Sequence, residues 1–289
     1  MKKLAFIKRS NEKHWVGDGF HVRGIFSYNE PTARHLSPFL LMDYAEPTTF
    51  PPTEDRLGVG EHPHRGFETV TIVHEGEVEH RDSSGGGGKI AKGDVQWMTA
   101  ASGLVHEEFH GTEYAKKGGP FEMIQLWVNL PKKDKMAKPG YQGLTAASIP
   151  EVALEGDAGT VRVIAGEYRD RRGPARTFTP MNVWDVRLEK GAKLDLNLRD
   201  GWTTALFVLD GKVKADGTTE TVGRADLAVF ERTGDRLAIE ALESTKLLFL
   251  NGEPIDEPIA GYGPFVMNTP DEIRQAILDF QNGKMGQLT

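Results

Sequence analysis

Two short phrases in the first half of the chain, His62-Pro63-His64 and His106-Glu107-Glu108, place metal-ligating residue types two apart. In an extended strand residues i and i+2 share a side, so each phrase presents a pair of ligands to one face. His62, His64 and His106 with a carboxylate make three nitrogens and one oxygen, a set that suits a borderline divalent transition metal. Coordination of five or six then leaves positions open for a substrate or dioxygen. Strand parity turns Glu107 away from the face of His106 and keeps Glu108 on it. Glu68 shares parity with His62 and His64 and stands beside Glu108 as a candidate ligand, or as a partner that fixes an imidazole. His110 follows Glu108 on the same face and reads as a supporting or structural residue, whereas His74 and His80 flank a hairpin and read as solvated. The chain has no cysteine. Thiolate nucleophiles, disulfides and Cys-based metal sites are therefore excluded, and His and carboxylate must carry any metal chemistry.

The elements that must position these residues are strands. Runs such as Glu68–Val73, Val183–Leu188 and Lys246–Leu250 are rich in β-branched and aromatic residues and are separated by Gly, Asp, Asn and Pro, the texture of an all-β sandwich or barrel. Ser83–Lys89 is glycine-rich, but Ile90 follows its lysine, so it reads as a hairpin tip and not as a phosphate loop. Phe67, Trp97, Met98, Met123 and Trp127 lie in strand-like runs near the candidate ligands, mostly as core, with one or two lining a pocket. One clear helix is expected at the C-terminus, with Thr269 as cap, Pro270 in the first turn, an apolar stripe of Ile273, Ile277, Leu278 and Phe280, and Gly283 as the stop. A helical turn is also expected after Pro131.

Three phrases of the first half recur in order in the second. Val73–Glu79 matches Val208–Lys214, Lys92–Met98 matches Arg224–Phe230, and Leu126–Pro131 matches Phe249–Pro254. Ordered matches with slightly drifting offsets indicate a duplicated domain. The expected division is an N-terminal metal-binding domain, residues 1–140, and a C-terminal metal-free domain with the helix, residues 141–289. All nine histidines lie between His14 and His110. Counting back from the turn glycines Gly76 and Gly211 puts Asn197 and Arg199 where the first copy has His62 and His64, so the second copy holds no His-ligated metal.

With 42 acidic against 35 basic residues the net charge is -7, which argues against nucleic acid as a direct partner. The N-terminal apolar run ends at Lys8, too short for a signal peptide. No stretch reaches the roughly 18 apolar residues of a membrane span. A cytoplasmic chain with no membrane partner is expected, and nothing marks an interface between copies, so a monomer is expected.

The phrases His62–Thr71, Glu75–Asp82, Gly93–Ala100 and Ser102–His106 carry a specific resemblance to the pirin family of bicupins, extending from about Phe20 to Pro258. The resemblance implies two tandem cupin domains with a metal, usually iron(II), in the N-terminal one only. Mn, Ni, Co, Cu and Zn remain compatible with the ligand types. In pirins the carboxylate ligand comes two residues after the third histidine, which is Glu108 here, unlike the general cupin pattern in which a Glu soon after the first two histidines serves. The resemblance further implies quercetin 2,3-dioxygenase activity, with a flavonol and dioxygen as substrates and Glu108 as the base. It also implies an alternative: a non-enzymatic, iron-dependent, redox-sensitive regulator that binds a protein partner.

Overall fold

Strands form where β-branched and aromatic residues alternate with polar ones. Phe67–Glu75, Met181–Leu188 and Thr245–Gly252 contain the three runs that composition marks. The computed structural model describes residues 1–288. They form two compact units, each built from more than one segment. The histidine-bearing unit comprises Asn11–Glu30, Phe39–Ala146 and the chain from Ile255 onward; the other comprises Met1–Ser10, Pro31–Pro38 and Ala147–Pro254. The central division thus falls after Ala146, and the two ends of the chain belong to units other than the ones expected from sequence order. Edge pairing and apolar burial explain this. Leu4–Arg9 hydrogen-bonds antiparallel to Asp226–Phe230, completing the sheet of the later unit. The C-terminal helix Pro270–Gln281, closed by the Thr269–Glu272 capping box, packs with Val105, Phe265 and Met267 of the earlier one.

That helix buries Ile273, Ala276 and Asp279, whereas Leu278 and Phe280 of the expected stripe are exposed. Asp279 is buried because it is paired with Arg65 at 2.9 Å, which no apolar periodicity could reveal. The turn expected after Pro131 is a short 3-10 helix, Lys132–Asp134.

Each unit is a seven-stranded antiparallel sheet with a four-stranded one, and the two units share a sheet order. In the histidine-bearing unit the large sheet runs Gly140–Leu144, Val95–Thr99, Phe67–Glu75, Gly119–Asn129, Phe39–Phe50, Phe20–Ser27, Lys13–Val16. Its small sheet runs Gly58–His64, Leu104–His110, Glu77–Asp82, Gly87–Ala91. The other unit repeats this with Leu4–Arg9, Asp226–Phe230, Thr203–Asp210, Thr245–Gly252, Met181–Leu188, Gly159–Ala165 and Glu151–Ala153 in the large sheet. Lys193–Asn197, Arg236–Ala241, Lys212–Ala215 and Thr221–Gly223 form its small sheet. The fold is all-β, two cupin sandwiches in tandem.

Matching strands by ladder register corrects the correspondence obtained by counting. His62 faces His106 and Glu108 faces His80; the equivalent pairs are Leu196 with Leu237 and Ile239 with Ala215. Thr71 faces Gln96 and Gln125, and Leu206 faces Ala228 and Phe249. His62 therefore corresponds to Leu196 and His64 to Leu198, not to Asn197 and Arg199. A one-residue slip exchanges the two faces of a strand, and the connection between these strands differs between the copies. The second interior is filled by one apolar cluster that includes Leu196, Ala215, Leu206, Ala228, Leu237, Ile239 and Phe249. At the positions equivalent to His62, His80, His106 and Glu108 it places only apolar side chains, none of which can ligate an ion.

Candidate metal centre

His62 and His106 stand opposite each other on adjacent strands, and alternation along Gly58–His64 brings His64 to the same side. The ring centroids of His62 and His106 are 4.1 Å apart, and those of His64 and His106 are 4.8 Å apart. One potential ligand atom from each of His62, His64 and His106 lies within 4.8 Å of the others. His80, His106 and Glu108 form a second such group. Glu108 thus adjoins the three histidines through His106, and the ladder slips by one residue between His106 and Glu108.

The outer nitrogens of the three rings are occupied. His62 Nδ1 donates to Gly60 O at 2.8 Å and His64 Nδ1 to Pro264 O at 3.3 Å. His106 Nδ1 lies 3.3 Å from His80 Nδ1. His106 Nε2 is buried with no hydrogen-bond partner among the described residues. A buried unpaired imidazole nitrogen is costly in a folded protein, and three rings whose Nδ1 atoms are held from outside leave their Nε2 atoms to ligate. The residues fit a divalent metal. Burial drives the His64 imidazole down to about 3, and burial with the neighbouring rings holds His106 well below the ordinary histidine value. Both rings are therefore neutral at physiological pH, the form that ligates.

His80 is the residue that sequence reading missed. It is buried, not solvated, with its Nε2 3.2 Å from Asp82 Oδ2 and its ring stacked on Tyr141. The contacts assign one direction to the chain: His106 Nδ1–H donates to His80 Nδ1, and His80 Nε2–H donates to Asp82. Burial alone would raise the Asp82 carboxyl, but hydrogen bonds from His80, Ser84 and backbone N–H groups hold it at about 2. The strand Glu77–Asp82 alternates in burial, with Val78, His80 and Asp82 inward. Extending parity from Val78, an evident core residue, would have turned His80 inward from sequence alone.

Gln96 Nε2 donates to Glu108 Oε1 at 2.8 Å, with Thr71 Oγ1 at 3.4 Å from the same oxygen and Gln125 Nε2 at 3.4 Å from Oε2. Thr71 Oγ1 gives its one proton to Gln125 Oε1 at 2.6 Å, so the two glutamine amides aim the carboxylate. Glu107 turns outward to Arg56 and Arg81, as parity requires. Glu68 is on the opposite face of its strand from Phe67 and Thr71 and accepts from Thr99 Oγ1 at 2.7 Å. The turn at Arg65–Gly66, where Gly66 has φ +90°, breaks the parity that had seemed to link Glu68 to His62 and His64, and Glu68 is in neither ligand group. His110 donates to Gly19 O and packs on Phe50 and Phe121, a structural role. Phe67 and Trp127 stack with centroids 4.2 Å apart beside His64. Trp97 faces away with Thr99, Met98 packs with Leu104, and Met123 lies in the barrel core.

Two cupin sandwiches, of which one carries a histidine cluster that could hold a metal and the other an apolar cluster at the equivalent positions, define a bicupin with one candidate metal centre. The chain belongs to the pirin family: the pirin model matches residues 19–128 and the pirin C-terminal cupin domain model residues 183–286. It is 56% identical over 284 residues to a Pseudomonas aeruginosa protein that bears the name "Putative quercetin 2,3-dioxygenase", covering 98% of both chains. It is 38% identical to human pirin, covering 99% of this chain and 94% of that one. A crystal structure of quercetin 2,3-dioxygenase from Acinetobacter baumannii superposes with a TM-score of 0.96 at 53% identity over 100% of both chains.

Proposed function

We propose that this chain is a metal-dependent dioxygenase that opens the central ring of a flavonol such as quercetin, with His62, His64, His106 and Glu108 as the metal-binding set. The convergence of three outer-anchored imidazoles beside the flat Phe67–Trp127 stack carries this reading. The kinship with proteins named for quercetin dioxygenation supports it. A divalent transition metal, iron(II) on this reading, would supply open coordination positions for a substrate oxygen and for dioxygen.

The chain's own residues do the rest. Trp127, half-buried and backed by the buried Phe67 ring, gives the site an apolar aromatic wall beside which a planar flavonol lies. Glu108 takes the proton of the 3-hydroxyl, its carboxylate aimed by Gln96 and Gln125, so the flavonol is attacked as its anion. Both atoms of dioxygen enter the product, and one ring carbon leaves as carbon monoxide. The His80–Asp82 pair holds the His106 ring in one tautomer and orientation.

The test is the metal-loaded protein mixed with quercetin under air. Loss of flavonol absorbance with carbon monoxide release, both absent in His62→Ala, is expected. No loss, with a protein partner captured in only one iron oxidation state, would replace this reading with that of a redox-sensitive regulator.

A further inference from the structure

The metal-free unit has a cavity of its own, about 710 Å³, within the size range of small-ligand sites. It stands at the mouth of the second sandwich. Asn251 lines it, and Asn251 pairs with Thr204 in the ladder as Trp127 pairs with Thr69 in the first copy. The cavity therefore occupies, in the duplicate, the position that flanks the histidines in the original. Beneath it the interior is closed by apolar side chains, so the mouth is retained while the metal pocket is gone.

Its lining is basic in an acidic protein. Arg172, Arg176 and Arg199 line it with one carboxylate, Glu167, which lies 3.9 Å from Arg172, against a net charge of -7 for the chain. An excess of guanidinium groups around a concavity gives it a positive potential that attracts an anion. Their planar forks match a carboxylate or a phosphate bidentately. The Arg199 guanidinium also lies over Trp202, 5.0 Å from the ring centre, which brings an aromatic face into the same cavity.

The site is built, not a chance gathering of side chains. On its floor Asn182 Nδ2 donates to Asn251 Oδ1, and Asn251 Nδ2 donates to Thr203 O and Thr204 Oγ1. The loop that carries Arg172 and Arg176 is pinned by backbone bonds, Gly173 N to Gly166 O at 2.9 Å and Ala175 N to Ile164 O at 3.2 Å. Gly166 adopts φ +77°, and a Cβ there would collide with Met181 O and Asn182, so the loop requires a glycine at its start. Preorganisation of this kind lowers the ordering entropy of binding.

We infer that the mouth of the metal-free cupin, lined by Arg172, Arg176 and Arg199, binds a small organic anion that bears a carboxylate or phosphate group. Calorimetric titration of the full-length, metal-loaded protein with inorganic phosphate and, separately, with benzoate tests this and tells the two head groups apart. At least one probe should bind. Arg176→Ala and Arg199→Ala should each weaken binding at least about tenfold, and His62→Ala should leave it unchanged. Arg199→Lys should fall between Arg199→Ala and the parent, because it keeps the charge and loses the fork. Urea midpoints equal to the parent's confirm that the exposed substitutions leave the fold intact. Absence of binding by both probes overturns the inference, as does a smaller effect of the arginine substitutions or loss of binding in His62→Ala. None of these outcomes depends on flavonol turnover.

Discussion

Glu108 and His80 divide the chemistry around His106 between them. Glu108 is presented to the site by the amides of Gln96 and Gln125, while His80 links His106 to the buried Asp82 carboxylate. Removing the proton acceptor while keeping a similar shape should separate binding from chemistry. Glu108→Gln is expected to lower kcat for quercetin by about 10²–10⁴, read by flavonol absorbance in preparations whose metal content is measured alongside. Full turnover with metal retained would remove Glu108 from the role of base. His80→Ala should weaken metal binding by about 10–100-fold, measured by competition with a chromophoric chelator, with Asp82→Asn changing it in the same direction. An unchanged affinity in both would mean that His106 needs no support from behind. At this scale the pairs His62/His64 and His106/Glu108 were legible as candidate ligands because spacing of two on a strand is a local property, and the resemblance to pirins singled out Glu108 over Glu68. Asp82 and Gln96 were not, since their proximity to His106 arises from pairing with other strands.

Among the elements, the turn between Gly58–His64 and Phe67–Glu75 decides which side chains face the centre. Lys135 donates to Gly66 O, Asn129 Oδ1 and Val266 O, and Arg65 is held by Asp279 of the C-terminal helix and by Ser102 O. These ties hold the end of the strand that bears His64. Beyond the turn, Glu68 faces the other way into a buried setting, and burial raises its carboxyl to about 7 although Thr99 and Trp97 pull in the opposite direction. The folded chain thus binds this proton more tightly than the unfolded chain, whose carboxyl has the ordinary value of 4.5. The stabilising effect of the neutral carboxyl is complete below that value and is lost as pH rises to about 7. Glu68→Gln, which cannot ionise, should gain roughly 3 kcal/mol of stability relative to the parent between about pH 4.5 and about pH 8. Urea midpoints at the two pH values measure it, and a difference independent of pH would show that Glu68 carries no such penalty. The helix itself was readable from Thr269, Pro270 and Glu272, because capping is local. Its buried face was not, because Asp279 is inward only by virtue of Arg65.

For the molecule as a whole, duplication supplies an internal control: one sheet order, two interiors. Thr71, Gln96, Gln125, His80 and Glu108 in one copy are replaced by Leu206, Ala228, Phe249, Ala215 and Ile239 in the other. Leu237→His, at the position equivalent to His106, should destabilise the protein by about 2–4 kcal/mol through an unpaired polar group in an apolar core. It should add no bound metal; a second equivalent found by metal analysis would contradict the sealed interior. In the histidine-bearing copy, metal removal should lower the melting temperature, by the equivalent of about 2.7 kcal/mol for metal present at about 100 times its Kd, and a scanning thermal melt with and without chelator reads it. The amino-acid sequence by itself determined the all-β class, the duplication, the candidate ligand pairs His62/His64 and His106/Glu108 and the helix caps. Each of these rests on residue type and on spacing along the chain, while the preference for Glu108 over Glu68 came from the pirin resemblance. Tertiary structure alone decided that Leu4–Arg9 completes the later sheet, that the C-terminal helix packs on the earlier unit, that Glu68 faces away, and that His80 supports His106. Each of those depends on a strand partner or a break in parity distant along the chain, where a shift of one residue reverses the face and no local pattern records it.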